Sequence, residues 1–229
     1  MAKRGTNPNK SNQIYYTVRD EIISGKYPGG TFIIENDLCE QFSVSRTPVR
    51  EALIRLSQDQ FVELIPNRGA VIPHLTITDI IEVLQLRTVN EGLAAALLAQ
   101  NHTDAVLLRL EESIHREEQL LAGERKDSLE ISREDFVFHN LLAAHCGNAR
   151  LKRVLELIDN QARRFSRMSA DARAVDETLI VSVNYHRQAL EAIRAGDSEA
   201  ARRAMEEHWQ AMINGYVQRS LDGALSLRL

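Results

Sequence analysis

Apolar residues recur at intervals of three and four along most of this chain, and one stretch near residue 65 breaks that rhythm. In the first part, Ile14, Val18, Ile22 and Ile23 share one face of a helix that ends near Gly25. Leu38 and Phe42 give a short helix over residues 35–42, followed by Ser43-Val44-Ser45, a polar turn enclosing one apolar residue. Ser45 or Thr47 can cap a third helix, Pro48 fits its first turn, and Val49, Ala52, Leu53 and Leu56 form its apolar face. Then the period changes. Phe61 to Ile65 is strand-like, Pro66-Asn67-Arg68-Gly69 is a turn, and Ala70-Val71-Ile72 returns as a second strand. The pattern predicts three helices closed by a β-hairpin with an arginine at its tip.

Beyond Pro73 there is no further proline, and Ala, Leu, Glu and Arg dominate. Periodicity and capping residues predict six helices, from Thr76 or Thr78 to Gln100, then over 103–121, 128–146, 148–169, 177–195 and 198–216. The expected fold is therefore mainly α. A winged helix-turn-helix over residues 1–75 precedes an all-α six-helix bundle over 76–229.

With 229 residues, 44% of them hydrophobic, the chain can bury two cores. Cys39 and Cys146 have no close spacing and no secretory signal precedes them, so reduced thiols in a cytoplasm are expected. No apolar run approaches the roughly 20 residues that span a membrane. The first dozen residues, with Lys3, Arg4 and Lys10, read as a disordered basic arm that either touches DNA or only solubilises.

Two constellations carry chemistry. The first is the polar face of the third helix, with Arg46, Arg50 and Arg55. Arg46 and Arg50 sit at its first turn, where a recognition helix presents side chains to base edges and phosphates. The words SVSRTPVREAL and PNRGAVI resemble the GntR-type winged-helix transcription regulators. The resemblance implies that Arg46, Thr47 and Arg50 contact double-stranded operator DNA, and that Arg68 and Gly69 place the wing tip in the minor groove. At Asn36 and Asp37 the chain departs from many relatives, which carry an arginine there, so one of the family's expected contacts lacks its residue. Residues 1–75 hold nine basic and eight acidic side chains, a charge of +1 in a chain of −4. Such modest phosphate neutralisation per subunit predicts that two copies act on one DNA, as a homodimer.

The second constellation lies in the predicted bundle. Asp135 and His139 are four apart and project from one helix face. His186 precedes Gly196 by ten residues and His208 follows it by twelve, so a turn at Ala195-Gly196-Asp197 puts both at nearly one height. Three neutral imidazoles and a carboxylate suit zinc, nickel or a similar divalent metal, with positions left for water or a small anion. These segments resemble the metal-binding signature of the ligand-sensing, all-helical FCD-type domain in the FadR branch of the same family. That resemblance implies that Asp135, His139, His186 and His208 hold the ion, that the metal helps bind a small carboxylate effector, and that Arg87 faces the effector. Read from the residues alone, a surface pair of Arg87 with Glu91 at i,i+4 is the alternative.

An ion with open positions also fits a metal-dependent hydrolase with Glu134 as proton shuttle. Glu134 lies about 100° around the helix from Asp135, and no serine nucleophile motif, paired cysteine motif or phosphate loop accompanies it. A purely structural ion is a third possibility. The reading is a transcription regulator and not an enzyme. By the family's commoner arrangement it is a repressor whose operator binding responds to effector.

Overall fold

The computed structural model describes residues 8–66, 68–123, 128–168 and 172–222. The chain divides into two compact units, Met1–Leu75 and Thr76–Leu227.

In the first unit, α1 (Pro8–Ile23), α2 (Glu35–Phe42) and α3 (Arg46–Gln58) pack around Ile14, Val18, Leu38, Val49, Leu53 and Leu56. Pro8 opens α1, where a missing N–H costs nothing. Lys10 is thus helical, which corrects the expectation of an arm a dozen residues long; Met1 to Asn7 lie outside the described residues. Ser43 ends α2 in the left-handed conformation at φ 51, and α3 begins after Ser45 in extended geometry. Ser45 is the N-cap, without a side-chain capping bond, and Thr47 is a helical residue, not a cap.

The wing is larger than a hairpin. Strands β1 (Phe32–Ile34), β2 (Glu63–Ile65) and β3 (Gly69–Val71) form an antiparallel sheet in the order β1-β3-β2, with Ile33 opposite Ala70 and Leu64 opposite Ala70 on the other side. Phe61 and Val62 precede the ladder instead of belonging to it. The Phe61 amide donates to the Leu56 carbonyl at 2.8 Å, which turns both side chains into the core.

The second unit holds α4 (Ile77–Asn101), α5 (Asp104–Ala122), α6 (Ser128–His145), α7 (Ala149–Met168), α8 (Ala172–Arg194) and α9 (Ser198–Leu221). Thr76 and Asp79 close a reciprocal capping box at the start of α4. Gly92 and Ala94 to Ala96 leave room for α9 to approach α4 closely; a Cβ on Gly92 would lie 3.0 Å from Glu206 Cγ. Helix α8 begins five residues before its expected start, because residues 172–176 contain no breaker. Helix α9 continues through Gly215 to Leu221, since one glycine costs only about 1 kcal/mol in a packed helix. Gly196, at φ +73, makes the α8–α9 turn, and the Asp197 side chain then caps α9 through the Ala200 amide. Both cysteines are free. Among the described residues no helix is long and apolar enough to cross a membrane.

Candidate functional site

In the first unit the site is the exposed start of α3. The spacing that buries Pro48, Val49 and Ala52 turns Arg46, Thr47 and Arg50 outward. Arg46 Nη2 donates to Asn36 Oδ1 at 3.1 Å, which holds Arg46 against the start of α2. Arg50 Nε lies 3.0 Å from both oxygens of Glu35. Arg55 belongs elsewhere: its guanidinium covers the Tyr15 ring at 3.8 Å and donates to Asn12 at 2.8 Å, clamping α3 to α1. Arg68 is exposed beside the wing turn. Gly69 is buried at φ +122, and a Cβ there would sit 2.1 Å from the Ile33 carbonyl oxygen. Its shown role is to let β3 meet β1.

In the second unit, five helices converge on a buried histidine cluster. Asp135 and His139 come from α6, His186 from α8, and His208 from α9. The Nε2 atoms of His139 and His186 are 3.2 Å apart. Asp135 Oδ2 lies 3.7 Å from His139 Nε2, and its Oδ1 lies 3.8 Å from His186 Nε2. The His208 ring is 5.0 Å from that of His139 and 4.9 Å from that of His186, and one nitrogen of each imidazole lies within 4.8 Å of the others. The i,i+4 spacing and the Gly196 hairpin thus bring the three histidines together, with Asp135 beside His139 and His186.

Burial drives the His139 and His208 pKa values well below the ordinary histidine value, leaving both neutral. At His186 burial acts in the same direction, but the charge of Glu117 and its hydrogen bond outweigh it and leave the pKa raised. Both ring nitrogens of His208 are buried without a hydrogen-bond partner among the described residues. Metal–nitrogen bonds of about 2.0–2.1 Å place neighbouring ligands roughly 3.0–3.4 Å apart, so the His139–His186 separation fits two ligands of one ion. His139 and His208, the latter unpartnered at both nitrogens among the described residues, make with His186 and a nearby carboxylate a donor set that a divalent ion would satisfy.

Arg87 forms its pair with Glu91, but not at the surface. Nε donates to Glu91 Oε1 at 2.7 Å, with side-chain exposures of 3% and 2%. Its Nη1 lies 3.6 Å from Asp159 Oδ1, and the guanidinium covers the Trp209 ring at 4.2 Å. Burial opposes its charge, yet Glu91 and Asp159 more than compensate and raise its pKa.

Sequence reasoning missed several supporting groups: Glu91, which faces His139 Nδ1 at 2.5 Å; Glu117, which faces His186 Nδ1 at 3.1 Å; and Ser182, which donates to Asp135 at 2.7 Å. Among the described residues two groups could hold a metal, His139 with His186 and His208, and Glu117 with Asp135 and His186; Glu134 belongs to neither, and its Oε2 is buried without a hydrogen-bond partner among those residues.

A three-helix unit with a small wing sheet, joined in one chain to a helical bundle with a buried histidine centre, defines a two-domain winged-helix regulator. Residues 10–72 match the profile of bacterial regulatory proteins of the gntR family, and residues 82–211 match the FCD domain. The chain belongs to the GntR family of transcription regulators and carries an FCD domain. The HTH-type transcriptional regulator YdhC of Bacillus subtilis is 30% identical over 199 residues, covering 86% of each chain. The gluconate operon transcriptional repressor of Bacillus licheniformis is 27% identical, over 84% of this chain and 79% of that one. A crystal structure of a GntR transcriptional regulator from Rhodococcus sp. RHA1 superposes with a TM-score of 0.70 at 25% identity, covering 92% of this chain and 98% of that one. Relatives and fold are those of DNA-binding regulators, not enzymes.

Proposed function

We propose that this regulator is a metal-binding repressor of the FadR type, acting in the cytoplasm as a homodimer on a two-fold operator. Its DNA affinity would respond to a small carboxylate, an organic or sugar acid. The observation that carries the metal reading is the convergence of three buried imidazoles with His208 unpartnered at both nitrogens. Asp135, His139, His186 and His208 would hold zinc or nickel. The ion would supply a Lewis-acidic position for an effector carboxylate. Arg87, on the wall of the same cluster, would orient that carboxylate through its fork of donors.

For the recognition face, Arg46 and Arg50 are the candidate base readers and Thr47 the neighbouring contact, with Arg68 at the wing. A homodimer gains support from an apolar stripe left exposed on α4, Leu86, Val89 and Leu93, and from Val154 and Leu157 on α7, which packs against α4. The gluconate operon repressor makes a sugar acid a reasonable first effector class to screen.

The test is elemental analysis of the purified protein by mass spectrometry before and after mild chelation, with circular dichroism and sedimentation on both samples. One metal per chain, removable without unfolding, supports an open sensing site. No metal after zinc and nickel are offered refutes the centre, and loss of fold on chelation makes it structural.

A further inference from the structure

Two carboxylates outside the proposed ligand set face that set from helices that contribute no ligand. Glu91 is on α4 and Glu117 on α5, with side-chain exposures of 2% and 1%. Each meets the Nδ1 atom of an imidazole: Glu91 Oε2 that of His139 at 2.5 Å, and Glu117 Oε2 that of His186 at 3.1 Å. We infer that Glu91 and Glu117 are positioning residues that fix His139 and His186 with their Nε2 lone pairs toward the ion, and that Glu91 makes Arg87 part of the same unit. This rests on the metal reading above.

An ionised carboxylate only accepts, so each facing Nδ1 carries a proton; in the neutral imidazole, the form that binds a metal, Nε2 is then left as the acceptor. Those two acceptors are 3.2 Å apart. A cation between them satisfies both, and a ligating histidine ordinarily anchors its second nitrogen in this way.

Glu91 is the more constrained of the two. Its Oε1 accepts from Arg87 Nε at 2.7 Å, while its Oε2 accepts from His139 and from Trp209 Nε1 at 3.0 Å. Three N–H groups on two oxygens leave no place for a donor. A glutamine at 91 has the same shape but must aim its NH2 either at the Arg87 N–H or at His139 Nδ1. In the second case the NH2 also opposes the Trp209 N–H, and the imidazole accepts only by moving its proton to Nε2, which closes the atom that faces the ion. In the first, two donors oppose each other in a dry site. The metal ligand His139 and the arginine Arg87 therefore share one acceptor, and a change in the hold on one is felt by the other.

Zinc is the probe, titrated against a chromophoric chelator in the wild type, Glu91→Gln and Glu117→Gln, with circular dichroism to establish folding. Each substitution is expected to weaken zinc binding by about 10- to 100-fold, the usual loss when such a partner is removed. Long-range proton–nitrogen spectra of the metal-free protein at mildly alkaline pH supply a readout that packing alone would not move. The wild type should carry Nδ1–H on His139 and His186, and Glu91→Gln should shift the His139 proton to Nε2 while leaving His186 unchanged. Unaltered zinc affinity in Glu91→Gln, or Nε2–H on His139 in the wild type, overturns the inference. Should Glu91→Gln not fold, the wild-type spectrum and the zinc affinity of Glu117→Gln decide between the two outcomes. A wild type that takes up no zinc refutes the metal reading itself, a failure the metal-free spectrum distinguishes from a wrong tautomer.

Discussion

Replacing His208 by leucine should make the metal-free protein more stable and the zinc-loaded protein less stable than wild type. His208 is 1% exposed, and neither ring nitrogen has a hydrogen-bond partner among the described residues. A buried polar group left unsatisfied costs about 1–3 kcal/mol. Leucine has nearly the volume of histidine and brings no polar atom, so removing that penalty should stabilise the metal-free bundle by roughly the same 1–3 kcal/mol. Zinc at a thousandfold excess over its dissociation constant stabilises the protein that binds it by about 4.1 kcal/mol, more than the largest gain expected from leucine, and the variant forgoes this. The order of stabilities should therefore invert between chelator and zinc. Trp209 is the chain's one tryptophan and its ring lies 4.4 Å from His208, so urea unfolding followed by its fluorescence reports on this unit directly. A metal-free His208→Leu protein less stable than wild type by about 1 kcal/mol or more, the low end of that penalty, would refute the reasoning. His208 would then be a core residue held by packing.

Arg46→Ala and Arg50→Ala should each weaken operator binding by about 1–3 kcal/mol for every base pair the side chain reads; unchanged affinity at fixed salt in a fluorescence-anisotropy titration removes the recognition-face assignment. Gly69→Ala must leave a positive φ and push back the Ile33 carbonyl, so the first unit should lose about 1–3 kcal/mol. Hydrogen exchange at the β1–β3 amides will register that loss, and protection equal to wild type contradicts it. Arg87→Ala leaves buried Glu91 without its cation, while Asp159 keeps Arg163, and should cost about 3–5 kcal/mol of bundle stability while blunting the response to effector. Chemical denaturation checks the first part; a carboxylate dissociation constant equal to wild type would sink the second.

Much of this architecture is legible in the residues because its signals are local. The period of three and four, Thr76, Gly196 and Asp197 mark the bundle helices, and the four-residue step from Asp135 to His139 survives unchanged into the site. Strand β1 escaped notice because Phe32-Ile33-Ile34 is three residues long and is recognisable only through its partner β3. Glu91 and Glu117 escaped for a different reason. On α5 the buried positions run Val106, Leu107, Leu110, Ser113, Ile114, Glu117, and on α4 they run Ile80, Leu84, Arg87, Glu91, Ala94 and Ala95, Leu98. Charged residues on an apolar stripe were the available signal: their placement forces burial, and burial requires partners. Reading Arg87 with Glu91 as a surface pair overlooked that stripe.

The same charges decide what an acidic effector needs. Around the histidines the described residues include the carboxylates of Glu91, Glu117, Asp135 and Asp159, of which Glu91, Glu117 and Asp159 are buried, and Arg87 is the buried arginine among them. Arg87 is already held by two of these acids, so an incoming carboxylate gains from it only the difference between its own contact and the one it displaces. Without a cation, an anion entering here meets net negative charge in a medium of low dielectric. Effector affinity must then come mainly from the metal, and Arg87 contributes orientation and choice among acids. Calorimetric titration of a sugar acid such as gluconate into chelated and zinc-loaded protein tests this: binding should be confined to the loaded form. Binding of equal strength in both forms would show that the acids around Arg87 do not repel the ligand, and the coupling of metal to effector would have to be abandoned.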